Sequence, residues 1–206
     1  MTVSDDQEQL HHGPMMSAEQ DPQDNDYATP PEIWRPLAKC VGGFDTDPCS
    51  GAEPSPIAPQ RHTRADNGLK QAWDGDVFVN PPWSSNGQDG PDNPKMRWYG
   101  KCMKEAARDE VTSVVALAPS DTSPEWFHTR IMAGELVCFY GTGRVSFIGE
   151  DRNPSFGLII AVYGERASEY RDVLDGFGSV IEGRAVYERS TQTALTDHRN
   201  GADDRE

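Results

Sequence analysis

Asp76-Val77-Phe78-Val79-Asn80-Pro81-Pro82-Trp83 is a short apolar run that ends on an amide, two prolines and a tryptophan. Val77–Val79 reads as a buried strand. Proline lacks an N–H and fixes φ, so the strand cannot continue past Asn80. The result is a rigid turn at a strand end that holds an amide, backbone carbonyls and a large π face together. That grouping suits the grip of a planar base carrying an exocyclic NH2. The Asn80 side-chain oxygen and the Pro81 carbonyl can each accept a hydrogen bond from the amine, while Trp83 can stack on the ring. The plainer reading is a Pro-Pro turn after a strand, with Trp83 in the core.

Outward from that turn, helix and strand patterns alternate. Towards the N-terminus, Thr29-Pro30-Pro31-Glu32 reads as a helix start, with Thr29 as N-cap and Pro30 in the first turn. Ile33, Trp34, Leu37 and Val41 give that helix an apolar side, and Gly42-Gly43 ends it. Phe44–Asp47 is a brief strand stopped by Pro48, and prolines at 48, 54, 56 and 59 make 48–64 an irregular connection. Towards the C-terminus, Ser84–Pro94 is a loop. Met96, Tyr99, Met103 and Ala106 recur at helical spacing over roughly 95–109, and Thr112–Ala118 is a second, doubly buried strand. A helix over Ser123–Ala133 and a strand Leu136–Tyr140 follow, the latter turning at Gly141–Gly143 into Arg144–Ile148. Then come a strand Phe156–Tyr163, a helix over about 167–177 and a last strand within Ser179–Tyr187. The alternation predicts an α/β sheet, mostly parallel, with an antiparallel strand at one end. Ligands of such sheets sit at the carboxyl ends of the strands, where Asp47 and Asn80 both fall.

At 206 residues the chain is expected to form one domain over 27–190, between a disordered acidic N-terminal tail (1–26) and a disordered C-terminal tail (191–206). No apolar run is long enough to span a membrane and no basic-then-apolar leader opens the chain, so a soluble cytoplasmic protein is expected. Cys40, Cys49, Cys102 and Cys138 are scattered, with no Cys-x-x-Cys pair and no His at ligand spacing, which argues against a zinc site or a disulfide framework. The net charge is −15, but residues 1–26 carry seven acids and no Lys or Arg, so with residues 196–206 the tails hold more than half of the excess. Basic residues cluster in the remainder, at Arg61, His62 and Arg64 and again at Lys95, Arg97, Lys101, Lys104 and Arg108. These clusters are either solvated surface or phosphate contacts. Five Lys against fourteen Arg, with high acid content, resembles proteins of salt-loving organisms, whose dense carboxylates keep a surface hydrated.

The ordered set Thr29-Pro30, Asp47-Pro48-Cys49-Ser50-Gly51, Asp66-Asn67-Gly68-Leu69 with Trp73, Asn80-Pro81-Pro82-Trp83, Pro119–Thr122, Trp126-Phe127 and Gly143–Phe147 resembles the phage-type DNA N6-adenine methyltransferases. The likeness covers roughly residues 27–165. It implies a compact Rossmann-like methyltransferase sheet, S-adenosylmethionine as cofactor, double-stranded DNA as partner, and methyl transfer to N6 of a flipped-out adenine. It implies that Asn80, Pro81, Pro82 and Trp83 form the catalytic turn. It also implies cofactor contacts at Thr29 and Pro30 and in the loop Asp47–Gly51, where Cys49 and Gly51 let backbone approach the methionine moiety. No second glycine follows Gly51, so that segment can instead be a later acidic strand that holds the ribose. Asp45 and Asp47 are the local carboxylates for ribose hydroxyls or the cofactor's ammonium group, against a structural role at a strand end. Asp66 resembles a position that accepts from the cofactor's adenine amine; an Asp-Asn-Gly turn is the alternative. The spacing from Asp47 to Asn80 is short for a full nucleotide-binding sheet and points to a missing or reduced strand–helix unit. No metal and no covalent intermediate are required.

Rivals stand beside this reading. Asn-Pro-Pro-aromatic turns also serve enzymes that methylate RNA adenine or a glutamine amide, and the net charge alone would suit a non-enzymatic acidic decoy that imitates DNA. The candidates for meeting DNA are the Ser84–Pro94 loop and Lys95, Arg97, Lys101 and Lys104 on the helix after it. The expected setting is a virus or mobile element of a high-salt host, with evasion of restriction or control of replication as the use.

Overall fold

Val77–Val79 and Val114–Ala118 carry no polar interruption because both faces of each are covered. Phe78, Val115, Leu117, Ile160 and Val162 turn to one side and pack with Ile33, Leu37 and Leu174. Val77, Val79, Val114, Ala116, Ile159 and Ala161 turn to the other and pack with Tyr99, Cys102, Trp126 and Phe127. The two-residue period of a strand makes this split. The computed structural model describes residues 28–51, 57–83, 90–141, 145, 147, 148 and 157–183. Both expected tails, residues 84–89 of the expected DNA loop, and Gly143, Arg144 and Ser146 of the resemblance lie outside the described residues.

The strands are β1 (Thr46–Asp47), β2 (Gln60–Arg61), β3 (Gly75–Val79), β4 (Val111–Pro119), β5 (Leu136–Tyr140), β6 (Leu158–Tyr163) and β7 (Gly178–Glu182). Among the described residues they form one seven-stranded sheet in the order β2-β1-β3-β4-β6-β5-β7. Helices α1 (Pro31–Val41) and α4 (Arg171–Phe177) cover the first face; α2 (Pro94–Glu105) and α3 (Glu125–Thr129) cover the second. The architecture is α/β and consistent with a Rossmann-like fold.

The sheet is mixed and parallel at one end, as expected, but its antiparallel end is larger than the one strand expected. β2, β1, β3 and β4 are parallel, whereas β4–β6, β5–β6 and β5–β7 are antiparallel pairs. After β4, α3 and a single 3-10 turn (Ile131–Ala133) carry the chain past the place beside β4. β6 fills that place from the opposite direction, bonding β4 on one side and β5 on the other. The expected turn from Leu136–Tyr140 into Arg144–Ile148 falls largely outside the described residues, which include 145, 147 and 148 of it. Both edges of β5 are taken, by β6 and β7, and Ile148 instead bridges Ala28. The parallel pair β1 and β2 is joined through residues 48–59, and the described part of that link contains no helix.

Thr29 is not the N-cap of α1. Pro30 holds that position without a side-chain hydrogen bond, and Pro31 begins the helix. The fixed φ of proline suits a first helical residue, and Glu32 favours the positive end of the helix dipole. The Thr29 hydroxyl meets the Asn80 amide instead. Gly42 closes the helix at φ 85, with its N–H on Ala38 O, a left-handed cap suited to glycine.

At the amino end of β3, Asp76 is 3 % exposed. It accepts from Ser113 Oγ at 2.6 Å and Thr112 Oγ1 at 2.9 Å and pairs with Arg166. Ser113 Oγ and Tyr170 Oη share a further hydrogen bond of 2.8 Å, and Arg166 also holds Glu169 at 2.8 Å. This network ties β3, β4 and the link between β6 and α4 at the end of the sheet opposite Asn80. Removing one partner of a buried pair costs ~3–5 kcal/mol. Here two hydroxyls remain on Asp76 and the Arg166 side chain is 31 % exposed, so Arg166→Met should cost less, about 1–3 kcal/mol. A lower urea midpoint at unchanged slope is the expected readout; an unchanged midpoint would show that the clamp contributes nothing to stability.

Candidate active site

β1 is two residues long, and backbone bonds on both sides fix it. On the β3 side, Asp45 N–H donates to Asp76 O at 2.7 Å. On the β2 side, Gln60 N–H donates to Asp45 O at 3.1 Å and His62 N–H to Asp47 O at 2.9 Å. Ser50 N–H donates to His62 O at 3.1 Å, which carries the pairing past the strand end. Thr46 is level with Val77, so Asp47 lies beside Phe78. Asn80 is two residues further along, about 7 Å of strand rise. The pleat puts Asp47, Phe78 and Asn80 on the face that α1 covers.

Asp47 is 4 % exposed. Its Oδ1 accepts from Cys49 N–H at 3.1 Å. Loss of water dominates and raises the carboxyl from the ordinary 3.8 to about 6, against weaker opposing effects of the Cys49 N–H and the Arg61 charge. A buried acid in this state is stabilised by any cation that reaches it.

Asn80 is half-buried at the end of β3, Pro81 is buried, and Pro82 and Trp83 are half-buried. Asn80 Nδ2 donates to Thr29 Oγ1 at 3.1 Å, and Thr29 is 5 % exposed. A two-bond bridge delivers Thr29 to this place: Ala28 N–H donates to Ile148 O at 3.2 Å and Ile148 N–H to Ala28 O at 3.0 Å. Trp83 packs on the α1-side core, and Phe147 meets its ring edge-on, with centroids 5.1 Å apart and planes at 87°. That is a favourable aromatic geometry. Four segments far apart in sequence thus converge, bearing Thr29, Asp47, Asn80–Trp83 and Phe147.

Other expected site residues are placed differently. Asp45 Oδ2 accepts from Asp76 N–H at 2.8 Å, at the start of β3. Gly75 makes the room, since a Cβ there would lie 2.1 Å from that oxygen. Four residues of strand, about 13 Å, separate this point from Asn80. Asp66 Oδ2 accepts from Thr63 N–H at 2.8 Å and Thr63 Oγ1 at 2.7 Å, bonds that hold its carboxyl below the ordinary range. This is the turn geometry, and Asn67 follows at φ 54. Gly68 abuts the Asp47–Gly51 loop so closely that a Cβ would meet Pro48 O at 2.0 Å. Cys49 packs with the α2-side core, and burial pushes its thiol up. A Cβ on Gly51 would meet nothing within 4 Å. The contacts of Gly68 with Pro48, His62 with Asp47 and Ser50, and Phe147 with Trp83 have no signal in spacing or periodicity; only the order of motifs groups their segments.

The four cations expected to meet DNA are divided. Lys95 is 9 % exposed, its Nζ lies 5.9 Å from the Trp126 ring centroid, and burial pulls its ammonium down. Lys101 holds Glu105 at 2.8 Å and lies over the Trp73 ring at 4.9 Å. Arg97 and Lys104 are exposed, and their spacing puts them two turns apart on one face of α2. With Lys101 and Arg130 they line a groove of about 640 Å³ that also contacts Leu69. Among the described residues, no group of His, Cys, Asp or Glu is arranged to hold a metal ion, and no helix is long and apolar enough to cross a membrane.

The model of a family described as DNA N-6-adenine-methyltransferase (Dam) matches residues 16–157. That span is more than half of the chain and contains all four converging segments. No curated protein and no solved structure gives a significant match.

Asp47 makes the folded protein sensitive to pH in a defined direction. Its carboxyl is raised from 3.8 to about 6, so between those values the folded state binds more protons than the unfolded one. Stability contributed by this group therefore falls as pH rises through that window, by a total on the order of 3 kcal/mol. Asp47→Asn keeps an oxygen for the Cys49 N–H and removes the titration. The variant should gain on the native protein in urea melts as pH rises from about 4 to about 6 and hold that gain above it. A stability difference that stays flat with pH would mean the Asp47 carboxyl is not perturbed.

Proposed function

We propose a division of labour among these residues from one premise: the chain belongs to the DNA N-6-adenine-methyltransferase (Dam) family and methylates adenine at N6 in DNA. That family membership removes RNA adenine, glutamine amides and the non-enzymatic decoy as rival readings. The observation that carries the proposal is the Asn80 amide, held by Thr29 at the carboxyl end of β3 on the same face of the sheet as buried Asp47.

An adenine inside a duplex cannot reach a half-buried turn, so the target base is flipped out of the helix. The adenine N6 lone pair is delocalised into the ring and is a poor nucleophile. Asn80 Oδ1 and the Pro81 carbonyl accept hydrogen bonds from the two N–H groups, which draws the nitrogen towards sp3 character and localises its lone pair. Trp83, packed perpendicular to Phe147, stacks on the base. Pro82 keeps the turn rigid, so these groups are aligned before the substrate arrives. Such alignment supplies up to ~7–11 kcal/mol in favourable cases.

The family implies S-adenosylmethionine as methyl donor. When bound it supplies an electrophilic methyl sulfonium, so the protein needs no metal or covalent nucleophile. The residues present fit such a group. Asp47 is a buried carboxyl raised by loss of water, suited to an ammonium ion, and Pro30, Cys49 and Gly51 border the same end of the sheet. Asp45 and Asp66 are left out of this assignment because their carboxylates hold backbone elsewhere. For DNA, Arg97 and Lys104 are the exposed cations of α2, whereas Lys95 and Lys101 are committed inside the protein.

Two measurements test this. Asn80→Ala should lower the rate of labelled methyl transfer to unmethylated DNA by on the order of 10²–10³-fold, the scale of losing one transition-state hydrogen-bond partner. Calorimetric binding of S-adenosylmethionine should survive; full activity in the variant rules the assignment out. The double variant Arg97→Glu, Lys104→Glu should weaken DNA binding at low salt and reduce the slope of log affinity against log salt by about 2. An unchanged slope would place the phosphate contacts on another surface.

A further inference from the structure

We infer that one backbone phosphate of the DNA is seated on α2 at Gly100, between Arg97 and Lys104, and that Arg130, just past the end of α3, is its third cation. The inference deepens the proposed role of Arg97 and Lys104 and rests on it. Residues 97, 100, 101 and 104 share one face of α2 by their spacing. In the middle of that face stands a glycine, which weakens a helix interior relative to alanine. The fold itself does not require it. Gly100 takes no positive φ. Gly68 and Gly75 stand where a Cβ would collide at 2.0 and 2.1 Å, but a Cβ on Gly100 would meet Arg130 Nε at 3.5 Å, an ordinary contact. A glycine that gives up helix stability without an internal reason is explained by a partner from outside that comes close to the backbone.

The charge around Gly100 identifies that partner. Arg97 and Lys104 are exposed about one helical turn to either side of it, and its nearest neighbour from another element is Arg130. Among the described residues none of these three cations makes an ion pair, and the Arg130 Nε–H is shut from water without a hydrogen-bond partner. Among the described residues Glu105 is the one acid lining the groove, and Lys101 at 2.8 Å and Arg108 at 2.6 Å hold it. Three uncommitted cations thus surround a bare stretch of backbone in a protein of net charge −15. A phosphate suits this place: guanidinium forks match its oxygens, and lysine serves it as a point charge. The groove is also in line with the site. Glu105 accepts from Trp73 N–H at 3.1 Å ahead of β3, so α2 runs back along the sheet and its Arg97 end is the one nearer Asn80. A DNA strand that delivers a base to Asn80 can continue along α2.

The test measures the affinity of the full-length protein for duplex DNA from about 50 to about 200 mM salt, with a urea midpoint for each variant. Arg130→Gln should reduce the slope of log affinity against log salt by about 1 and weaken binding on the order of tenfold near about 0.1 M salt, the release of one counterion. Gly100→Ala should raise the urea midpoint, as alanine in a helix interior does. It should nonetheless weaken DNA binding by about threefold or more, because its methyl stands where the phosphate comes in. A raised midpoint with DNA affinity unchanged would overturn the inference, since the glycine would then serve no outside partner. A lowered midpoint in Gly100→Ala would overturn it by showing that the fold requires glycine. A native salt slope in Arg130→Gln would overturn it too. The premise fails separately. An unchanged slope in the Arg97→Glu, Lys104→Glu variant removes α2 from the DNA altogether. A slope reduced by about 2 there, with Arg130→Gln and Gly100→Ala binding as the native protein does, leaves α2 on DNA and rejects only the seat at Gly100.

Discussion

The parallel pairing of β1 with β3 is the constraint on which the site depends. It sets Thr46 level with Val77 and so puts the Asp47 carboxyl and the Asn80 amide on one face, two residues apart along adjacent strands. A two-residue strand makes few ladder bonds of its own. Its position is held by close approaches around it: Asp45 against the backbone of Gly75 and Asp76, the Thr46 hydroxyl on Asp74 O at 2.9 Å, and Gly68 against Pro48. These contacts explain why glycine stands at 68 and 75, where any Cβ would push the strand away.

Two buried aspartates at opposite ends of the sheet are treated in opposite ways. Asp76 has an arginine and two hydroxyls, so its burial is compensated within the fold. Asp47 has the Cys49 N–H and the charge of Arg61, and loss of water still keeps its carboxyl raised. Burial of an acid whose loss of water is not fully offset costs the fold stability. That is expected where a ligand, rather than the fold, supplies the opposite charge.

The sequence makes some of this legible and hides the rest for physical reasons. β3 and β4 are evident because doubly buried strands need unbroken apolar runs, and the end of β3 is evident because two prolines cannot continue a ladder. The place of β6 between β4 and β5 is not evident, since periodicity reports which residues are buried and not which strand lies beside which. Asp45 and Asp47 are the same residue type two positions apart; only the pairing shows that one holds the start of β3 while the other faces Phe78. Lys101 and Lys104 look alike on a helical wheel, and the difference is Glu105 and Trp73, which the fold brings to Lys101. Thr29 had every local mark of a helix cap. Its actual partner comes from another segment, and no local rule reaches that far.

Photochemical cross-linking of S-adenosylmethionine labelled in its methyl group, mapped by peptide mass spectrometry, bears most directly on this arrangement. Label is expected in the peptides that hold Asp47–Ser50 and Asn80–Trp83, and should disappear in an excess of the demethylated product. Label concentrated instead on α2 around Arg97 and Lys104, with the Asp47 and Asn80 peptides bare, contradicts a site at the carboxyl ends of β1 and β3.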